Sequence, residues 1–144
     1  MPEANAIELN GVKYRPPSRP VVVVCIDGSD PDYFAAAAPS AGSGLKRTED
    51  FIDPAKIKDL PVWAFHGDKD GVCPIERDQK VFDEMKKLGG NMKFTIWHGD
   101  RHGVSSKMIL GGENGTTRLS GDRCDKEPDF MTWLFAQSRK KGGK

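Results

Sequence analysis

A chain of 144 residues with 37% hydrophobic and 30% charged residues has the size and composition of one globular domain. Its net charge of +1 gives no electrostatic reason to expect nucleic acid or an anionic membrane surface as a partner. Cys25, Cys73 and Cys124 are odd in number and far apart, with no Cys-x-x-Cys pair, which argues against a disulfide framework or a structural zinc site and for a reducing, cytoplasmic compartment. Residues 1–20 lack the apolar core of a signal peptide, and no apolar run approaches the roughly 18 residues of a membrane span.

In chain order, residues 1–20 read as an irregular lead-in, with a turn at Asn10-Gly11 and a proline-rich stretch from Arg15 to Pro20 that cannot join a sheet interior. A single α/β domain is expected over 21–140. Val21 to Ile26 is a continuous, mostly β-branched run, the pattern of a strand buried on both faces. It ends in Asp27-Gly28-Ser29-Asp30-Pro31, where Asp30 suits an N-cap and Pro31 the first helical position. Phe34 to Pro39 is ambiguous, because its alanines favour helix while the run is short and closed by proline. Pro54 to Ile57 suits a single helical turn.

Pro61 to Gly67 repeats the buried-strand pattern. Pro74 to Leu88 then reads as a helix, with Val81, Phe82, Met85 and Leu88 as its apolar stripe. Glu76 and Asp78 near its start and Lys86 and Lys87 near its end complement the helix dipole, and Gly89-Gly90 stops it. Lys93 to Trp97 alternates like a strand, His98 to Lys126 reads as one long loop, and Asp129 to Ser138 closes the chain as a helix. Residues 141–144 form a short basic tail. The order strand–helix–strand–helix predicts a three-layered α/β fold around a small, mostly parallel sheet of about four strands. Trp63, Trp97 and Trp133 are expected in its core.

The sharpest chemical signal is His66-Gly67-Asp68-Lys69-Asp70, which puts carboxylates just past the end of a buried strand. The next strand ends at Trp97 and is followed by His98-Gly99-Asp100-Arg101-His102-Gly103. Adjacent parallel strands deliver these groups to one edge of the sheet, where functional residues gather in open α/β folds. A carboxylate and an imidazole within hydrogen-bond reach are two of the three parts of a Ser-His-Asp triad. The nucleophile is the missing part. Gly-x-Ser-x-Gly does not occur, Ser29 is flanked by Asp27 and Pro31 where that turn needs glycines, and Ser40 and Ser43 fall at the wrong point in the order. Cys25, inside its strand, reads as a core thiol.

These residues also carry a resemblance. Residues 34–140 resemble the C-terminal half of α/β-hydrolases of the esterase and "predicted peptidase" type. Phe34 to Gly42 resembles the strand after the nucleophile helix, and Leu60 to Asp70 the strand and turn that present the acid. The family pattern His-Gly-x-x-Asp-x-x-Val-Pro selects Asp70 over Asp68, with Cys73 where valine is usual. Gly99-Asp100-Arg101-His102 resembles the Gly-x-x-His turn and selects His102 over His98. The resemblance therefore implies Asp70 as orienting acid and His102 as general base, acting on a small-molecule carboxylic ester without a cofactor. His66, His98 and Asp68 are left as structural residues.

Residues 7–33, and within them Asn10 to Tyr33, resemble the start of phosphonoacetate hydrolases of the alkaline phosphatase superfamily. There the Asp of the Asp-Gly pair binds one of two zinc ions, and Asp27 is the matching position. Nothing after Tyr33 resembles that family's threonine nucleophile or its further ligands, and one carboxylate is too few for a catalytic zinc. The chain thus reads as a join of two hydrolase types near residues 30–34. The primary expectation is an ester-hydrolase fragment with acid and base but no nucleophile elbow, weakly active or inactive on its own. A metal-dependent phosphonate hydrolase fragment and a non-catalytic α/β module are the alternatives.

Overall fold

The computed structural model describes residues 7–9, 12–14, 34–42 and 53–138. Its elements are β1 (Ile7–Leu9), β2 (Val12–Tyr14), α1 (Pro54–Ile57), β3 (Val62–Gly67), α2 (Ile75–Lys87), β4 (Met92–Trp97), α3 (Ser105–Leu110), β5 (Gly115–Leu119) and α4 (Phe130–Ala136). The expected strand over Val21–Ile26, the turn with Asp27 and Ser29, and the residues Cys25 and Ser43 lie outside the described residues.

The central unit is β3–α2–β4. Its strands pair in parallel from Val62↔Met92 to Gly67↔Trp97. On one side of β3, residues 37–40 add parallel bridges, Ala37↔Val62 and Ser40↔Phe65. On the far side of β4, β5 pairs antiparallel, from Trp97↔Gly115 to Lys93↔Leu119. The sheet is therefore small and mixed, two of its pairings being parallel and one antiparallel. The alanine-rich segment is extended rather than helical. Its backbone is bonded into the β3 edge, Trp63 N–H to the Ala37 carbonyl at 3.0 Å and Phe65 N–H to the Pro39 carbonyl at 3.0 Å, and this pairing overrides alanine's helix preference.

Side chains alternate across a strand, so each strand feeds two cores. Trp63, Phe65 and Trp97 pack with Phe130, Met131, Trp133 and Leu134 of α4. Val62, Ala64, Met92 and Phe94 pack on the other face with Phe82 and Met85 of α2, and with Ile57 and Leu60. Helices thus cover both faces, which makes the fold three-layered. Ala36 and Ala38 join the first cluster and Ala37 the second, as a strand at the sheet edge requires. The aromatic core mixes edge-to-face and stacked pairs: Trp63 meets Trp133 at a centroid distance of 5.4 Å and an angle of 85°, and stacks on Phe65 at 5.4 Å and 17°. Lys93 is buried there too. Its ammonium lies 3.5 Å from the Trp63 ring centroid and donates to the Glu127 carbonyl, which ties down the stretch leading to α4. Asp129 then caps α4 by accepting from the Thr132 N–H at 2.7 Å.

Three expectations are corrected. The stretch from His98 to Lys126 is not one loop, since it holds α3 and β5. The lead-in contains a paired hairpin, with β1 and β2 in register Ile7↔Tyr14 and Leu9↔Val12. Leu88 is 43% exposed and serves as the C-cap of α2, beyond the buried Phe82 and Met85.

Candidate active site

The site forms where the turns after β3 and β4 meet. β3 ends at Gly67, and the chain turns through Asp68 and Lys69 to Asp70. The Asp70 carboxylate closes this turn on itself, Oδ1 accepting from the N–H groups of Val72 at 2.8 Å and Cys73 at 2.9 Å. The second turn passes through Gly99, whose φ of +83° favours glycine. Two backbone bonds join the turns, Asp68 N–H to the Trp97 carbonyl at 3.1 Å and Lys69 N–H to the Asp100 carbonyl at 2.9 Å. They come this close only because residue 67 has no side chain. A Cβ there would stand 2.4 Å from the Asp100 carbonyl oxygen and 2.5 Å from that of Arg101.

The result is the expected juxtaposition. His102 Nδ1 lies 2.9 Å from Asp70 Oδ2, with the Asp70 side chain fully buried and that of His102 47% exposed. A carboxylate only accepts, so Nδ1 carries the proton and Nε2 is the acceptor. Nε2 has no hydrogen-bond partner among the described residues. Burial alone would push the Asp70 carboxyl upward. The Cys73 N–H, the His102 ring and the Val72 N–H outweigh it, and the group is held below the ordinary carboxylate value.

Behind Asp70 lies His66, with 0% exposure. Its Nδ1 is 2.6 Å from Oδ2 of Asp78, and its Nε2 is 2.9 Å from the Cys73 carbonyl and 3.2 Å from Oδ2 of Asp70. Burial would lower its pKa. The hydrogen bonds to Asp78 and Cys73 and the charges of Asp78 and Asp70 reverse this, and it is raised. The sequence reading assigned Asp78 only to the helix dipole. The signal it passed over is positional: Asp78 precedes the buried Phe82 and Met85 at helical spacing, so a carboxylate sits on the apolar stripe of α2.

A second Asp–His pair stands beside the first. His98 Nδ1 is 3.1 Å from Asp68 Oδ2, and its Nε2 is 2.9 Å from the Thr116 hydroxyl on β5. Asp68 Oδ1 also accepts from the Gly99 N–H at 2.7 Å. The Asp68 carboxyl is held low first by that N–H and then by His98. Both nitrogens of His98 are thus engaged in joining the turns to β5. Lys107 of α3 completes the bracket around the His102 turn. Its ammonium pairs with Asp100 at 2.5 Å and reaches Asn114 Oδ1 at 2.9 Å, while Asn114 Nδ2 donates to the His98 carbonyl at 2.7 Å.

Of the serines weighed as nucleophiles, Ser40 lies within the described residues, where its hydroxyl is 3.1 Å from that of Ser105. Asp27, the candidate zinc ligand, lies outside them. Among the described residues no group of three His, Cys, Asp or Glu side chains could hold a metal ion, so the residues seen do not fit a zinc centre. No helix among the described residues is long and apolar enough to cross a membrane.

No family model and no curated protein matches the chain. Solved structures with a likeness to it include a thermostable esterase, at 27% identity and a TM-score of 0.45 over 74% of this chain and 25% of that one. Another is esterase PE8, at 22% identity and a TM-score of 0.40 over 51% of this chain and 34% of that one. The chain thus spans about a third or less of the length of either esterase, and at these TM-scores neither likeness decides what it does.

Proposed function

We propose that this chain carries the acid and the base of an ester-hydrolysing centre, Asp70 and His102, within a partial α/β-hydrolase fold, and that it acts without a cofactor on a small-molecule carboxylic ester. One observation carries the reading: a buried, multiply bonded carboxylate holds Nδ1 of a half-exposed imidazole at 2.9 Å and leaves Nε2 turned away from it as an acceptor. That is the relation between acid and base in a triad, where the carboxylate fixes the tautomer and stabilises the imidazolium that forms. With a serine present, Nε2 takes the hydroxyl proton as the oxygen attacks the ester carbonyl, then returns it to the leaving alkoxide.

The sequence holds no Gly-x-Ser-x-Gly turn to supply that serine. Acting alone, His102 takes a proton from water while the water oxygen adds to the carbonyl carbon, a general-base effect worth about a hundredfold. The test is hydrolysis of an activated aryl ester by the purified chain. Slow turnover without a burst, lost in His102→Ala, supports the reading. Equal rates for the chain and for His102→Ala overturn it. A burst of one product per chain that Ser29→Ala abolishes overturns the claim that the nucleophile is missing.

A further inference from the structure

We propose that His66 is a permanently charged positioning residue, a buried imidazolium clamped between Asp78 and Asp70 that orients the Asp70 carboxylate and moderates its pull on His102. The inference rests on the reading of Asp70 and His102 as acid and base. Its foundation is donor–acceptor logic. The Cys73 carbonyl oxygen can only accept, so Nε2 of His66, 2.9 Å away, carries a proton. The other nitrogen faces a carboxylate oxygen of Asp78 at 2.6 Å, so a proton lies on that line as well. With that proton on the ring rather than on Asp78, the fully buried imidazole is a cation, which its surroundings balance. Asp78 reaches it from α2 and Asp70 from the turn after β3, while His102, from the turn after β4, contacts the same Oδ2 of Asp70. A buried charge with two carboxylates is compensated, whereas the same ring beside apolar neighbours would lose its proton.

The consequence reaches His102 through one atom. Oδ2 of Asp70 is 3.2 Å from Nε2 of His66 and 2.9 Å from Nδ1 of His102. The carboxylate stabilises a positive charge on either ring, but His66 holds that position permanently. Protonation of His102 therefore meets a carboxylate already partly neutralised and a like charge behind it.

The test needs no turnover. In the wild-type chain labelled with nitrogen-15, both His66 nitrogens give protonated, pyrrole-type shifts from pH 5 to pH 8. A pyridine-type Nδ1 across that range overturns the proposal, since the shared proton then belongs to Asp78. In His66→Asn, and in the milder His66→Gln, the Nδ1–H proton signal of His102 moves downfield, because Asp70 Oδ2 no longer shares its charge with a second ring and its bond to His102 strengthens. If it stays put in a variant that keeps the wild-type amide spectrum, His66 serves packing alone and the proposal fails. A His102 ring that ignores Asp70→Asn as well would mark failure of the acid–base reading instead.

Discussion

His66 and His102 share one atom. Oδ2 of Asp70 lies 3.2 Å from Nε2 of the first ring and 2.9 Å from Nδ1 of the second, while Oδ1 takes two backbone N–H groups. Each ring comes from a different place in the chain, one inside β3 and one five residues beyond β4. The carboxylate is therefore one of the points at which β3 and the two turns are fastened together. That makes Asp70 a structural residue as well as a candidate acid, and the two roles separate by pH.

Asp70→Asn is expected to lose the acid-side part of the stability profile. The folded Asp70 carboxyl titrates below its ordinary value, so its contribution is fully present above the unfolded value, near pH 4. It is lost as pH falls through the lower, folded value. Urea unfolding of both chains should therefore give a gap that is constant from about pH 5 to pH 7 and closes below about pH 4. The gap itself should be about 1–3 kcal/mol, the cost of leaving buried donors badly matched. A gap that is unchanged at the acid end would mean that the carboxylate's charge contributes nothing.

Gly67→Ala is expected to part the two turns. The new methyl group would lie 2.4 Å from the Asp100 carbonyl oxygen, a backbone atom that no rotamer change can move aside. The expected loss is about 1–3 kcal/mol in urea unfolding, as for overpacking elsewhere. The distinctive sign is at His102, whose Nδ1–H proton signal should lose the mark of its bond to the Asp70 carboxylate once the turns separate. A fully stable Gly67→Ala chain with the coupling intact would show that the close approach is not required.

How much of this was legible in the sequence depends on burial. β3 is a nearly continuous apolar run because both of its faces are covered, β4 alternates apolar residues with the buried Lys93 and Thr95, and the ends of the two strands located Asp70 and His102. β5 left no such mark. Gly115-Thr116-Thr117-Arg118-Leu119 is an edge strand with mostly exposed side chains, so it has neither an apolar run nor a clean alternation. α3 buries no residue fully, and a helix without a buried stripe has no periodicity to read. The Asp70–His102 pair followed from strand order, but the His66–Asp78 pair joins a strand to a helix on its face. Nothing in the spacing of β3 alone says which side chain of α2 will meet it.

Zinc provides a separate check on the N-terminal resemblance. On the resemblance expected from the sequence, Asp27 would be a zinc ligand, yet a catalytic zinc takes three protein ligands. No suitable group of three exists among the described residues. The chain, dialysed without chelator after exposure to zinc, should retain well under one equivalent by elemental analysis. Retention of one tightly held zinc per chain, lost in Asp27→Asn, would restore the phosphonate-hydrolase alternative.

The twin pairs Asp68–His98 and Asp70–His102 invite a direct comparison, because they have the same chemistry and nearly the same position. They differ in what their second nitrogen does. Nε2 of His98 is 2.9 Å from the Thr116 hydroxyl, whereas Nε2 of His102 has no partner among the described residues. A base must offer a free lone pair to the proton that it abstracts. If His98 Nε2 donates to Thr116, it has none to offer, and if it accepts from Thr116, the lone pair is already occupied. The supporting carboxylates differ too, since the Asp68 side chain is 30% exposed and that of Asp70 is fully buried. Water screens the first pair and leaves the second less screened. His98→Ala should therefore leave the slow hydrolysis of an activated ester within about twofold of the parent chain, while His102→Ala removes the roughly hundredfold general-base contribution. The thermal midpoint should move little in either variant, because both rings are about half exposed. The reverse ranking, with His98→Ala inactive and His102→Ala unaffected, would move the base to the Asp68–His98 pair. Thr116 would then become the hydroxyl to test, by labelling with a phosphonate probe and locating the modified residue by mass spectrometry.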